Sequence, residues 1–324
     1  MPKKILVALL YLCALSAAAQ DFSASWQGYF SYTSISDITY GNGKVYAAAQ
    51  NSVFAYDATT DVLTTFSTIQ GLSGETISAI YYSERANALF VGYSSGLIDV
   101  VQQNEDVFTV VDIVNKTAIP PNEKQINHFL ERDGLLYIST DFGISLYDID
   151  RLEFDDSYFI GASGGRLHVR QTAISGEYIY AATQEGGIRR ALVQAENLID
   201  FENWSTVSGG NWLGIVGRGD RIFAINANNT LQSFDGNTFT IVTQYPSRPS
   251  RLTAGQAGFT VSLVNTIYAY DNTGAAITTV AVSEQYPGAY NTAFSAEGLL
   301  FIGTAENGLL MTGLPAAQTL LQIL

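Results

Sequence analysis

Hydrophobic and polar positions along the chain alternate with a period of two in short runs. Within residues 35–80, four such runs cover residues 35–40, 44–50, 52–57 and 62–68, and glycine, asparagine or aspartate residues lie between them. Alternating β-branched and aromatic residues bounded by these turn formers are typical of strands joined by tight hairpins. The stretch therefore predicts four antiparallel strands, which together make one propeller blade.

The same unit recurs along the rest of the chain. Aligning the units on the middle of their second strands gives seven anchor positions, which are Tyr46, Phe90, Tyr137, Tyr180, Phe223, Thr260 and Phe301. Several units end in an aromatic residue followed by an aspartate whose side chain can start the next turn; these aspartates are Asp57, Asp148, Asp235 and Asp271. Seven units predict an all-β, seven-bladed β-propeller of four-stranded antiparallel blades.

The two ends of the chain predict how the ring closes. After the third strand of the last unit the chain runs on to Pro315 with no recognisable fourth strand, whereas residues 26–32 (WQGYFSY) resemble a fourth strand without partners. We therefore predict that this N-terminal strand pairs with the seventh blade, which removes two exposed strand edges. The alternatives are an open solenoid, or six or eight blades if the irregular sixth unit is misread. The predicted propeller spans residues 20–314, followed by a stub, residues 315–324, towards a missing domain.

The first 19 residues have the features of a signal peptide. Lys3 and Lys4 precede an apolar segment over residues 5–15, and three alanines at 17–19 supply small residues for cleavage before Gln20. The only cysteine, Cys13, lies inside this segment, so the mature chain is expected to contain no disulfide. The sequence predicts an exported protein of the periplasm or outer-membrane surface.

Composition excludes some classes of partner. The chain of 324 residues has a net charge of −14, which argues against non-specific binding of nucleic acid. After the signal segment, no stretch approaches the 18 consecutive apolar residues typical of a membrane-spanning helix. The low share of charged residues, 14%, together with 47% hydrophobic residues, indicates a folded chain with ample core material.

The sequence contains no recognisable set of catalytic residues. His128 and His168 are the only histidines, and they lack the further ligands that a metal site usually needs. A glycan-active enzyme would need paired carboxylates converging on the channel mouth. We therefore predict no catalytic residues, no metal and no cofactor.

Arginines concentrate in one part of the chain. All eight basic residues between positions 166 and 251 are arginines, beside seven acidic residues, so this span is nearly neutral within an acidic protein. Arginine side chains suit phosphate and carboxylate groups. Arg166, Arg248 and Arg251 map to loops on the propeller face that usually carries ligands, and Arg189 and Arg190 fall in a third strand. These five residues are the candidate ligand-binding residues for an anionic ligand such as a glycan or lipid phosphate.

The first two units carry a family resemblance. A resemblance to the repeats of regulator-type propellers is carried by Gly71-Leu72-Ser73 and by residues 77–80 and 89–99. A closer similarity, to the N-terminal propeller of the PorZ family, is carried by the segments WQGYFSY, KVYAAAQNSVFAYD and VGYSSGLIDVV. That family belongs to the type IX secretion system of Bacteroidota. Its members carry a second propeller and a C-terminal sorting domain, whereas this chain stops at Leu324.

The resemblance implies a function. It implies a non-enzymatic surface scaffold in the attachment complex at the outer membrane, with secretion-system proteins including a sortase-like protease as partners and anionic lipopolysaccharide as a ligand. The alternative is the sensor propeller of a two-component regulator, whose repeats carry tryptophan where this chain has Phe90 and Phe301.

Overall fold

The structure of the protein is a computed structural model that describes residues 30–195, 197–315 and 319–323. These residues form seven four-stranded antiparallel sheets, and the strands of each sheet are consecutive in the chain. The predicted all-β class, the count of seven blades and the four strands per blade are therefore confirmed. The predicted anchors are confirmed as well, because every one of them lies in the second strand of its blade.

The first four blades contain sixteen strands. Blade one has β1 (Asp37–Gly41), β2 (Lys44–Ala48), β3 (Val53–Asp57) and β4 (Val62–Phe66), and blade two has β5 (Ile77–Ser83), β6 (Ala88–Tyr93), β7 (Ile98–Gln102) and β8 (Val107–Val110). Blade three has β9 (Ile126–Arg132), β10 (Leu135–Thr140), β11 (Gly143–Asp148) and β12 (Glu153–Tyr158). Blade four has β13 (Val169–Ser175), β14 (Tyr178–Thr183), β15 (Ile188–Leu192) and β16 (Ser205–Ser208).

Twelve strands make up the remaining blades. Blade five has β17 (Trp212–Arg218), β18 (Arg221–Asn226), β19 (Thr230–Phe234) and β20 (Phe239–Gln244), and blade six has β21 (Arg251–Ala254), β22 (Gly258–Leu263), β23 (Thr266–Asp271) and β24 (Ala276–Ala281). Blade seven has β25 (Tyr290–Ala296), β26 (Leu299–Thr304), β27 (Leu309–Gly313) and β28 (Leu321–Gln322). Short 3-10 turns occur at Pro121–Glu123, Ala162–Gly164 and Phe201–Asn203.

The turns have the chemistry that the sequence predicts. In the β1–β2 hairpin, Asn42 and Gly43 have φ angles of 48° and 72°, the left-handed conformation that a tight two-residue hairpin requires. The aspartates that follow an aromatic residue accept backbone hydrogen bonds at the next turn. Asp57, for example, accepts from the N–H groups of Thr59 and Thr60 at 2.8 and 3.2 Å. The turn-forming role predicted for these aspartates is confirmed.

Neighbouring blades pack face to face through buried apolar side chains. The second strand of blade two is buried along its whole length, and Phe90 contacts both Phe129 and Tyr147 of blade three. Blades four and five approach so closely that a Cβ atom at Gly217 would collide with the carbonyl oxygen of Ile174. The blades therefore hold one another in register, as the repeat pattern of a propeller requires.

The outer strand of blade seven differs from the prediction. It is β28, in which Leu321 pairs with Met311 and Gln322 with Leu310. The prediction that residues 26–32 supply this strand is wrong, because β28 occupies the place beside β27; residues 26–29 lie outside the described residues. Leu321 and Gln322, which the prediction assigned to a stub beyond the propeller, therefore belong to blade seven, whereas residues 316–318 and 324 lie outside the described residues.

The N-terminal segment nevertheless joins the first blade to the last. The Ile35 N–H donates to the Thr304 carbonyl at 2.8 Å, and the Gly308 N–H donates to the Thr33 carbonyl at 2.7 Å. The Asn291 side-chain amide donates to the Ile35 carbonyl at 3.0 Å. Residues from both ends of the described chain therefore bond to blade seven.

Candidate functional site

The first strands of the seven blades surround a central channel. Residues of β1, β5, β9, β13, β17, β21 and β25 line a cavity of about 790 Å³. We call the end at which these inner strands begin the upper mouth, and the opposite end the lower mouth. A concave space of this size is in the range that small ligands occupy in proteins, so the channel is the candidate functional site.

Five of the inner strands carry a β-bulge near the upper mouth. The strand register shifts by one residue at Ser78, Asn127, Arg170, Leu213 and Asn291. A bulge leaves one residue unpaired in the ladder and redirects its side chain. The first four of these residues line the channel. The bulges therefore place a ring of side chains around the upper mouth, of which Arg170 is the charged member.

A buried ion pair crosses the upper part of the channel. Arg251 of β21 donates from Nη2 to Oδ1 of Asp37 in β1 at 2.6 Å, and the two side chains are 28% and 6% exposed. Asp37 also accepts from the backbone N–H groups of Ile38 and Ile80, each at 3.0 Å. Burial raises the pKa of the Asp37 carboxyl, and the charge of Arg251 opposes that rise. Arg251 thus stabilises a carboxylate that connects blades one, two and six.

A second polar cluster lies on blades three and four. His168 Nδ1 is 3.1 Å from Oδ1 of Asp141, which also accepts from Nδ2 of Asn127 at 2.8 Å. Burial lowers the pKa of His168, and the Asp141 carboxylate opposes this. With neutral imidazole, the Nδ1–H donates to Asp141, and both members of the pair are satisfied.

His128 lies deeper in the channel. The Gln171 amide oxygen accepts from the Ile215 N–H at 3.1 Å, and its nitrogen donates to the Leu252 carbonyl at 3.2 Å and approaches His128 Nε2 at 3.4 Å. These contacts orient the Gln171 amide and make His128 Nε2 the acceptor. Burial, aided by the charge of Arg251, lowers the pKa of His128 to about 3. His128 is therefore a neutral member of the channel wall.

The state of His128 predicts how stability depends on pH. Because its pKa is depressed in the folded protein, the unfolded chain binds a proton more readily below pH 6.5, and stability falls as the pH falls from there. The free energy of unfolding of the wild type falls between pH 7 and pH 5. We expect this fall to be smaller by about 1–2 kcal/mol in His128→Gln, because glutamine does not titrate. Denaturant unfolding at the two pH values measures this. An unchanged pH dependence would contradict the buried neutral state.

The structure separates the five predicted arginines. Arg166 forms an exposed ion pair with Glu123 at 2.6 Å, and Arg248 is exposed in the loop before β21. Arg251 lies inside the channel in its pair with Asp37. The loop placement predicted for Arg166 and Arg248 agrees with the structure, whereas Arg251 belongs to the channel wall.

Arg189 and Arg190 lie in β15, away from the channel. Arg189 donates to the Thr206 hydroxyl and to the Trp204 carbonyl, each at 2.6 Å. Arg190 donates to the Gly236 carbonyl of blade five at 3.3 Å and lies 4.7 Å from the centre of the Tyr178 ring. These contacts tie strands and blades together, so the structure does not bring these two arginines to the same place as the others.

At the lower mouth, polar side chains also have partners within the fold. The guanidinium of Arg218 donates to the carbonyl oxygens of Gly217, Gly255 and Gly258, which joins blades five and six. The Tyr81 hydroxyl donates to Glu131 at 3.3 Å.

Within the described residues no group of three histidine, cysteine or acidic side chains is placed to hold a metal ion. The described residues also contain no helix long and apolar enough to cross a membrane.

Comparison with solved structures places the fold among known propellers. The chain superposes on PorZ, described as an essential bacterial surface component of the type IX secretion system of Porphyromonas gingivalis, with a TM-score of 0.76 and 19% identity over 89% of this chain. The chain covers 38% of that protein. It also superposes on the computationally designed protein Ika8 with a TM-score of 0.57 and 12% identity, covering 90% of this chain and 86% of the design.

Sequence comparison adds the family. None of the curated proteins matches this sequence. Residues 45–205 match the family described as the N-terminal beta-propeller domain of PorZ of the type IX secretion system, TSS9. The matched region runs from the second strand of blade one to the beginning of the outer strand of blade four. The match to the PorZ N-terminal propeller family thus covers residues 45–205, and the seven blades together form a PorZ-like propeller.

Proposed function

We propose that this chain is an exported, non-enzymatic propeller that serves as a protein-interaction scaffold in type IX secretion at the outer membrane. The observation that carries the proposal is the match of residues 45–205 to the PorZ N-terminal propeller family. The superposition on PorZ covers 89% of the chain, so the likeness in fold reaches beyond the matched residues. The proposed partners are other secretion-system proteins, including a sortase-like protease. The proposed ligand is an anionic glycan such as lipopolysaccharide, bound at the face that carries Arg166 and Arg248.

The chemistry of the channel supports a binding role. Two carboxylates near the upper mouth already have partners: Asp37 contacts Arg251 and two backbone N–H groups, and Asp141 contacts His168 and Asn127. A general acid or base needs a carboxyl group that is free to exchange a proton with a substrate. Asp37 and Asp141 do not meet this requirement, and this supports a binding role for the channel.

A pull-down from the native bacterium tests this function. The chain, carrying an affinity tag after residue 324, is expected to reach the cell envelope, to begin at Gln20 after processing, and to enrich secretion-system proteins after mild cross-linking. A tagged exported propeller of unrelated sequence is the control. Deletion of the gene is expected to reduce secretion of cargo proteins at least severalfold. Normal secretion after deletion, with no enrichment over the control, would refute the proposal.

A further inference from the structure

Among the described residues, Arg170 is the one charged side chain that a bulge directs into the channel. The register of β13 against β14 shifts between Val169 and Gln171, so Arg170 is unpaired in the ladder. The side chain is half-buried and lines the channel. A bulge at this position uses backbone distortion to present the guanidinium to the cavity, as happens next to binding sites in many sheets.

The guanidinium of Arg170 has unused donors. Its Nη2 donates to Oε1 of Gln184 at 3.1 Å, whereas its Nε is buried and has no hydrogen-bond partner in the described part of the chain. No described carboxylate lies within ion-pair distance of it. The side chain as a whole is half-buried and lines the channel, so its remaining N–H groups can donate a charge-assisted hydrogen bond to an acceptor that enters there.

A second arginine, Arg248, lies in the loop that leads into β21 at the upper mouth. It is exposed and forms no ion pair within the described residues. Burial lowers the pKa of Arg170, and the charge of Arg248 adds to this effect. Glu185 and Asp141 oppose this effect, but Asp141 is already engaged with His168. Arg251, by contrast, is neutralised by Asp37. Two cations that form no ion pair within the described residues therefore lie at the upper mouth.

We propose that the upper mouth binds a small organic anion, with Arg170 and Arg248 holding its carboxylate or phosphate group. The proposal rests on the part of the proposed function that concerns an anionic ligand. It differs in placing Arg170, inside the channel, in direct contact with the anionic group. Half-buried apolar side chains line the wall beneath the mouth, namely Leu130, Ile174, Leu213 and Phe294. The body of the ligand is therefore partly apolar and occupies the channel.

Calorimetric titration with matched probes tests the site. Phenyl phosphate and benzoate carry the two candidate anionic groups on one apolar ring, and benzyl alcohol is the neutral counterpart. We expect at least one anion to bind at least tenfold more tightly than benzyl alcohol and to weaken as ionic strength rises. The anion that binds more tightly identifies the source as a phosphate or a carboxylate. Equal binding of all three probes, or no binding of either anion, would overturn the proposal.

Variants locate the contact. Arg170→Met is expected to weaken anion binding about tenfold or more, and Arg170→Lys less, because lysine keeps the charge but loses the planar fork. Arg221→Met is the matched control, since Arg221 is exposed on β18 and does not line the channel. If Arg170→Met unfolds, Arg248→Met provides the test, because Arg248 is exposed and its loss leaves the core intact. Equal effects of the channel and control variants would overturn the assignment.

The outcome can be separated from that of the proposed function. The titration reports only on the channel of the purified chain, whereas the pull-down reports on protein partners. Enrichment of secretion-system proteins without anion binding would leave the scaffold and refute this site. Anion binding that requires Arg170, without enrichment, would leave the site and refute the scaffold.

Discussion

Replacing Arg251 by methionine is expected to lower the free energy of unfolding by about 3 kcal/mol. The substitution removes the cation that lies 2.6 Å from Asp37, whose side chain is only 6% exposed. Breaking a buried ion pair from one side leaves an uncompensated charge, which is costlier than removing both partners. The loss is expected at the lower end of the usual range, because the N–H groups of Ile38 and Ile80 still bond to the carboxylate. Urea denaturation at pH 7 measures it.

Two further variants make this prediction specific. Asp37→Asn combined with Arg251→Met is expected to recover part of the loss, because no charge is then left unpaired. Arg248→Met is the control, since Arg248 is exposed, and its change should stay within about 0.5 kcal/mol. Equal losses for Arg251→Met and the double variant would contradict a pairwise role of the two charges.

The same pair has a pH dependence with a defined sign. Burial raises the pKa of Asp37, so the carboxyl takes up its proton in the folded protein at a higher pH than in the unfolded chain. A protonated Asp37 needs no counterion. The stability difference between wild type and Arg251→Met is therefore expected to narrow once the pH is low enough to protonate Asp37.

The blades could be predicted from the sequence because their signals are local. A period-two run, an Asn-Gly turn and an aromatic-Asp end each lie within a few residues, and together they placed the anchor Tyr46 and its six equivalents correctly. The outer strand β28 escaped prediction because two residues are too few to show an alternation. A signal was present in residues 320–324, which are apolar except for Gln322.

The channel site could be predicted only in part. The excess of arginine over residues 166–251 pointed to the correct part of the chain, but it did not distinguish Arg170 from its neighbours. The bulge that turns Arg170 towards the channel shifts the register by one residue, and alternation alone cannot show this. Likewise, Asp37 and Arg251 lie in blades one and six, and only closure of the ring brings them together.

Replacing Asp99 by leucine is expected to lower the free energy of unfolding by about 4 kcal/mol. Asp99 of β7 is fully buried, and its two oxygens accept four hydrogen bonds. The donors are the backbone N–H and hydroxyl of Ser73 at 2.7 and 2.8 Å, the Tyr93 hydroxyl at 2.6 Å and the Thr109 hydroxyl at 2.7 Å. Leucine has a similar size but accepts none of them, so buried donors lose their partner.

Asparagine at the same position separates lost hydrogen bonds from lost volume. Its oxygen can take the place that accepts from the Ser73 N–H and the Tyr93 hydroxyl, and its amide can donate to the hydroxyls of Ser73 and Thr109, since a hydroxyl also accepts. We therefore expect Asp99→Asn to cost clearly less than Asp99→Leu, and Thr109→Val about 1 kcal/mol. Chemical denaturation of the three variants measures this order, and equal losses for asparagine and leucine would contradict it. Ser73 and Asp99 belong to the Gly-Leu-Ser and Gly-Leu-Ile-Asp segments that resemble the PorZ family. The expected order of losses would show that these two residues stabilise the second blade. Ligand recognition would then depend on other residues, such as those of the channel.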